Sequence, residues 1–471
     1  MRRTLCSIWA ALAVAVGLSA APAVARAETP EVIASVAVTR DGERWTVDYD
    51  LALGRPAFAF VVSALSREGR RPWRPGRWTV TTPGVEIARI GNYDVLKSTD
   101  GRDLPRRIRI LMRPLGGDLE AEYAPSLVFT DGAVALFSEQ FDLIPLEAAE
   151  AARGLPTDLN GVELPGGLTQ VTWRDRAGPV LFRGERQVSV TATDAETYVL
   201  FGRADLTQGK AIATVVDPNL PVWLRDELEG FTPQVMDYYA AHVGPRRGER
   251  PTVMVSWSGP TDNRSSMAGS VLPNLIVIDF EGEGILDASP EVLARARWFL
   301  GHEAAHFWLG SQGLRYEVAR DAWITEGGAD LMAVRALSAM DPAYDAREEL
   351  QREVDDCIDL TTGKSMVTAG ERGELRTNYA CGAVFWLVME AVAEKDVFGV
   401  LADLIADNPD GVLTRQEWLD HLDLVSNDMS LSYDLDRLLD HGAADPAILI
   451  GSLFRRAGVD FQMVAGQPEL N

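Results

Sequence analysis

The sequence predicts a multidomain chain with an N-terminal antiparallel β-sandwich, a middle domain of mixed α+β character and a helical C-terminal region. Three observations predict it. From Glu31 to about Phe201 apolar and polar residues alternate in short runs, such as "WTVDYDLAL", "AFAFVVSAL", "RIRILMRPL" and "QVSVTATD", broken by Gly, Pro and Asp. Near Asp217 the period changes: "NLPVWLRDELEGFTPQVMDYYAAHVG" repeats as a helix, and "ERPTVMVSW" and "NLIVIDF" then read as strands. From "DASPEVLARARWFLGHEAAHFWLG" onward the text is almost wholly helical. At 471 residues the chain is also too long for a single hydrophobic core.

In chain order, residues 1–27 read as a signal peptide, 28–200 as the sandwich, 201–345 as the middle domain and 346–471 as the helical region. The first segment has Arg2 and Arg3, an apolar run from Ile8 to Ala21, and Ala25-Arg26-Ala27 as a small-residue cleavage site. The run falls short of the roughly 20 residues that a membrane span needs. Cleavage after Ala27 is therefore expected rather than a retained anchor, which predicts a secreted or periplasmic protein without a membrane span.

Cleavage removes Cys6 and leaves Cys357 and Cys381. In an oxidising compartment such a pair predicts a disulfide, with two buried free thiols as the alternative. Loss of Arg2, Arg3 and Arg26 takes the formal charge from −24 to −27. So acidic a surface repels phosphate backbones and excludes nucleic acid as a partner.

The chemistry gathers in "GHEAAHFWLG", Gly301 to Gly310. Ser289 followed by Pro290 is a strong helix start, which predicts a helix from Pro290 to about Leu309, stopped by Gly310. His302 and His306 lie four apart on one face of it and can aim at one point, a pairing suited to zinc. Glu303 is rotated by about 100° and cannot join them as a ligand, but it can flank a water at the metal. Histidine pairs at this spacing also arise by chance, so the third ligand decides.

Six residues beyond His306 stands Gln312, which rules out a third histidine there. The segment "DAWITEGGADLMAVRAL" offers Glu326 near the start of a second helix and Asp330 one turn later. A carboxylate at Asp330 suits the outer ring N–H of a ligand histidine. Gly327 and Gly328 would let this helix approach the first closely. The alternative makes Glu326 and Asp330 a solvated helix face, but that reading gives no reason for the HExxH upstream.

"HEAAHFWLG" followed by "DAWITEGGAD" resembles the gluzincin metallopeptidases, most closely the aminopeptidase-N-like and glycyl-aminopeptidase-like branches. The resemblance spans about residues 220 to 420. It implies a thermolysin-like catalytic domain, one zinc ion held by His302, His306 and Glu326, Glu303 as general base, and a peptide or protein substrate. "NYACGAVFWLVM" resembles the segment whose tyrosine stabilises the oxyanion, which implies that role for Tyr379. The resemblance stops at "MAGSVLPNLIVID". Gly269 fits the aminopeptidase edge-strand motif, yet Leu272 stands where a glutamate would hold the substrate amine, leaving Glu281 or Glu283 as substitutes.

A zinc hydrolase of a non-peptide substrate and a scaffold without turnover are the other readings. Retention of Glu303 argues against the scaffold, because a structural zinc has no use for a flanking base. "ADNPDGVLTRQE" has partial calcium-loop spacing, but Ala406 takes the first ligand position and Thr414 with Glu417 forms a capping box. His242, His421 and His441 have no matching partners and read as surface or core residues.

Overall fold

The computed structural model describes residues 31–471 apart from 67, 68, 117, 118, 121, 122, 157, 158, 160–166 and 311. The signal peptide expected at residues 1–27 lies outside the described residues.

The alternating text forms three sheets around a shared core. A six-stranded sheet runs in the order Val190–Ala192, Leu168–Asp175, Val32–Asp41, Arg44–Leu51, Arg107–Met112, Trp78–Val80. A four-stranded sheet contains Ala57–Phe60 and Tyr93–Ser98, and a five-stranded sheet contains Val134–Phe137 and Tyr198–Phe201. In Arg44–Leu51 every second residue, Trp45, Val47, Tyr49 and Leu51, turns inward. They enter a cluster with Phe58, Phe60, Leu136 and Phe201 of the other two sheets.

The expectation of a purely antiparallel sandwich needs one correction. Val32–Asp41 and Leu168–Asp175 run parallel, with Val36 opposite Val171. A parallel pair needs a long crossover, and here it takes in most of the domain.

The middle sheet has the order Thr207–Gln208, Ala213–Val216, Thr252–Trp257, Leu275–Glu281, Ser266–Leu272. Its three inner strands are parallel, and Ser266–Leu272 is an antiparallel edge. The inner strands read as apolar runs because both faces are covered. On one face Val253, Val255, Ile276 and Ile278 join the cluster formed with helices Val222–His242 and Pro290–Ala305. On the other, Val215, Met254 and Val277 meet Leu127, Phe129 and Phe137 of the sandwich. Asp217 locks this junction: fully buried, it accepts the Thr130 backbone N–H at 2.7 Å and also the Thr130 hydroxyl.

Helices Trp323–Met340, Ala346–Thr361 and Arg376–Ala393 follow, then four shorter ones and a terminal hairpin, Phe461–Val464 with Gln467–Leu470. Trp323–Met340 and Arg376–Ala393 cross glycine against glycine. A Cβ on Gly327 would overlap the backbone of Gly382, and one on Gly382 would overlap that of Trp323. Gly327 therefore serves the contact with Arg376–Ala393 rather than with the HExxH helix, and Gly328 faces Leu309 and Trp386. Among the described residues no helix is long and apolar enough to cross a membrane.

Candidate metal centre

The Ser289 hydroxyl accepts the Val292 N–H at 3.3 Å, and Pro290 opens the helix. The helix ends at Ala305, four residues before the Leu309 that the sequence suggests. The cause is local: Leu309 lies in a bridge to Leu314, and its carbonyl accepts the His306 ring Nδ1–H at 2.8 Å. His306, just past the helix, keeps right-handed helical dihedrals, so its four-residue relation to His302 survives.

Asp330, fully buried on helix Trp323–Met340, accepts from Nδ1 of His302 at 2.7 Å. A carbonyl and a carboxylate can only accept, so each Nδ1 carries a ring proton and Nε2 is the nitrogen whose lone pair a metal can take. Those two Nε2 atoms lie 3.0 Å apart, and Glu326 Oε2 is 3.5 Å from each. Three electron-rich atoms this close call for a cation among them.

The triangle fits zinc. A point about 1.9 Å from all three atoms lies within it, against the ~2.0–2.1 Å of zinc to imidazole nitrogen or carboxylate oxygen. Burial would raise the Glu326 pKa, but the His306 and His302 rings outweigh it and hold the carboxyl below its usual range. Burial would lower both histidines, yet the surrounding carboxylates, Asp330 for His302 and Glu326 for both, raise them instead. A metal therefore competes with protons for these rings, and its affinity falls in acid.

Glu303 is 5% exposed and lies against the edge strand. A Cβ on Gly269 would overlap its carboxylate and touch Phe299, so the absence of a side chain there makes room for the carboxyl group. Burial raises the Glu303 pKa, which strengthens it as a base. Tyr379, in the first turn of Arg376–Ala393, stacks on the His302 ring with centroids 5.6 Å apart. The Glu326 charge, then burial, push its phenol well up, so it stays a proton donor. Cys357 and Cys381 are joined in a disulfide that ties Ala346–Thr361 to Arg376–Ala393.

The remaining candidates lie elsewhere. Leu272 is 2% exposed and belongs to the junction with the sandwich, on the strand face opposite Gly269. Glu281 is engaged by Arg264 at 3.0 Å and by the Thr261 hydroxyl at 2.7 Å, and Glu283 is exposed in a short turn. Gln312 donates to Asn274 at 2.9 Å. Asn408 donates to Leu404 at 2.9 Å, and Thr414 with Glu417 forms the capping box. His242 is exposed and stacked on Tyr238, His421 is buried, and His441 is exposed.

Sequence reasoning missed Arg376. It donates to Asp330 at 3.5 Å, to Glu353 at 2.7 Å and to Asp356 at 2.9 Å. Its place three residues ahead of Tyr379 is the only signal that pointed toward the site.

No family model matches the sequence, and no curated protein matches it either. Among solved structures the chain is similar to the M1 zinc metallopeptidase of Deinococcus radiodurans, with a TM-score of 0.47, 16% identity, and 87% of this chain and 92% of that one covered. A mutant of that enzyme bound to a Tyr-Ser-Ala substrate gives 0.47, 14%, 87% and 93%. Native yeast leukotriene A4 hydrolase gives 0.50, 10%, 88% and 68%. The last likeness shows a shared fold, a β-rich N-terminal region followed by a helical C-terminal one.

Proposed function

We propose that this chain is a zinc metallopeptidase of gluzincin type, with a thermolysin-like catalytic domain, exported by residues 1–27, that cleaves peptide bonds without requiring a free amino terminus. The observation that carries the reading is the convergence of His302, His306 and Glu326 on one point, beside a buried glutamate and a protonated tyrosine. His302, His306 and Glu326 would hold zinc, which when bound would supply a water of lowered pKa and a Lewis acid for the scissile carbonyl.

This chain's own residues do the rest. Glu303 takes a proton from the attacking water on its carboxylate and passes it to the leaving amine. The Tyr379 hydroxyl donates to the developing oxyanion. Asp330 keeps the His302 proton on Nδ1 and so frees Nε2. Leu272 carries no charge and Glu281 is engaged by Arg264, which leaves the exposed Glu283 as the remaining acid among these positions; the missing charge at 272 supports internal cleavage.

The test is a peptide mixture, half with free and half with acetylated amino termini, read by mass spectrometry beside Glu303→Gln. Internal cuts in both halves are expected, with a loss of about 10²–10⁴-fold in the variant while zinc is retained. Trimming confined to free amino termini would overturn the specificity. No cleavage of any peptide would overturn the peptidase reading and favour a non-peptide substrate or a scaffold.

A further inference from the structure

A feature left unused by this mechanism is the charge network behind the metal site. Asp330 gives one carboxylate oxygen to His302 and faces Arg376 with the other. The same guanidinium reaches Glu353 and Asp356 on helix Ala346–Thr361, one turn and one residue ahead of Cys357. Glu353 is 1% exposed, and its second oxygen finds no hydrogen-bond partner among the described residues. Arg376 is thus the cation that faces three carboxylates at once.

Its position on its own helix adds a second connection. Arg376 is the first residue of Arg376–Ala393, and Tyr379 lies one turn on, stacked over the ring that Asp330 orients. No side chain caps this helix start. The bonds from Arg376 to Glu353 and Asp356, together with the Cys357–Cys381 disulfide, tie the start of this helix to Ala346–Thr361 and set where the first turn lies.

We propose that Arg376 is a positioning residue of the metal site, fixing Asp330 and through it His302, and fixing the helix turn from which Tyr379 reaches the site. The proposal rests on the zinc reading above. An arginine suits this work because its planar fork serves several carboxylates in fixed directions, which a lysine ammonium cannot do. Removal of such an outer partner typically costs 10–100-fold in metal affinity or activity.

The test compares the zinc-loaded wild-type protein with Arg376→Lys, Arg376→Gln and Asp356→Asn. Three quantities are measured: zinc release to a chromogenic chelator, the visible spectrum after cobalt substitution, and kcat and KM on a peptide that the wild type cuts. In Arg376→Gln zinc release accelerates about tenfold or more, the cobalt spectrum changes and kcat falls with KM little altered. Arg376→Lys and Asp356→Asn, each of which leaves part of the network in place, lie between. Thermal melting confirms that each variant is folded, and Arg376→Lys keeps the question answerable if Arg376→Gln does not fold. Unchanged zinc release and cobalt spectrum in a folded Arg376→Gln or Arg376→Lys would overturn this proposal alone. A wild-type protein that holds no zinc would overturn it together with the metal reading.

Discussion

Arg74 in the sandwich and Arg376 behind the metal site both hold acidic side chains, but they are held differently. Arg74 is fully enclosed, its guanidinium 4.0 Å from the Phe60 ring centre and 4.2 Å from that of Trp78, and its Nε is 3.6 Å from Asp94. Two of its nitrogens and one Asp94 oxygen find no hydrogen-bond partner among the described residues. Burial presses both members toward neutrality, lowering Arg74 to about 10 and raising Asp94. Arg376 is instead 37% exposed and makes short contacts to Glu353 and Asp356. The first cluster ends in core; the second ends at an imidazole. The charge chemistry is alike, and the difference lies in what the far carboxylate touches.

The largest expected effects separate the two. Asp94→Ala leaves Arg74 buried against only its aromatic neighbours and the Val62 carbonyl, and should cost about 3–5 kcal/mol in urea unfolding. Activity per folded molecule should not change. Asp330→Asn should do the reverse, losing about 10–100-fold in zinc retention with a smaller change in unfolding midpoint. Equal loss of stability in both variants, with zinc retention untouched, would mean that the second network is core like the first.

Gly269→Ala tests whether the site depends on space as well as charge. The atoms in the way belong to the end of the buried Glu303 side chain and to the core ring of Phe299, so the melting temperature should hold or fall slightly. A glutamate displaced by about 1 Å should still lose up to ~10²-fold in kcat. A variant with full activity would show that the Glu303 carboxylate does not work from this position.

These comparisons also show what the sequence could reveal. His302, His306, Glu326 and Asp330 were legible because helical spacing and side-chain chemistry act within a few residues, and the structure brings all four together. The end of the HExxH helix was misread because a carbonyl beyond it, that of Leu309, captures the His306 ring. The partner of Gly327, the parallel pairing of Val32–Asp41 and the reach of Arg376 to Asp330 join distant stretches, and no local period marks them. Arg74 sits in the short helix Trp73–Arg77 and Asp94 in the strand Tyr93–Ser98, and only packing shows them to be enclosed together.

The smallest expected effect is a pH dependence of the second network. Burial, then the Asp330 charge, push Glu353 up to about 8 from an ordinary 4.5, against the pull of Arg376. An acid with a raised pKa in the folded state binds a proton there that the unfolded chain has released. Its contribution to stability is therefore fully present below about 4.5 and is lost as the pH climbs through about 8. Glu353→Gln keeps a neutral group of the same size and removes this titration. Urea unfolding at pH 5, 6.5 and 8, with zinc chelated in both proteins, should show the variant gaining on the wild type as pH rises. Parallel curves would mean that Arg376 neutralises Glu353 throughout, and that the ion pair outweighs burial at this position.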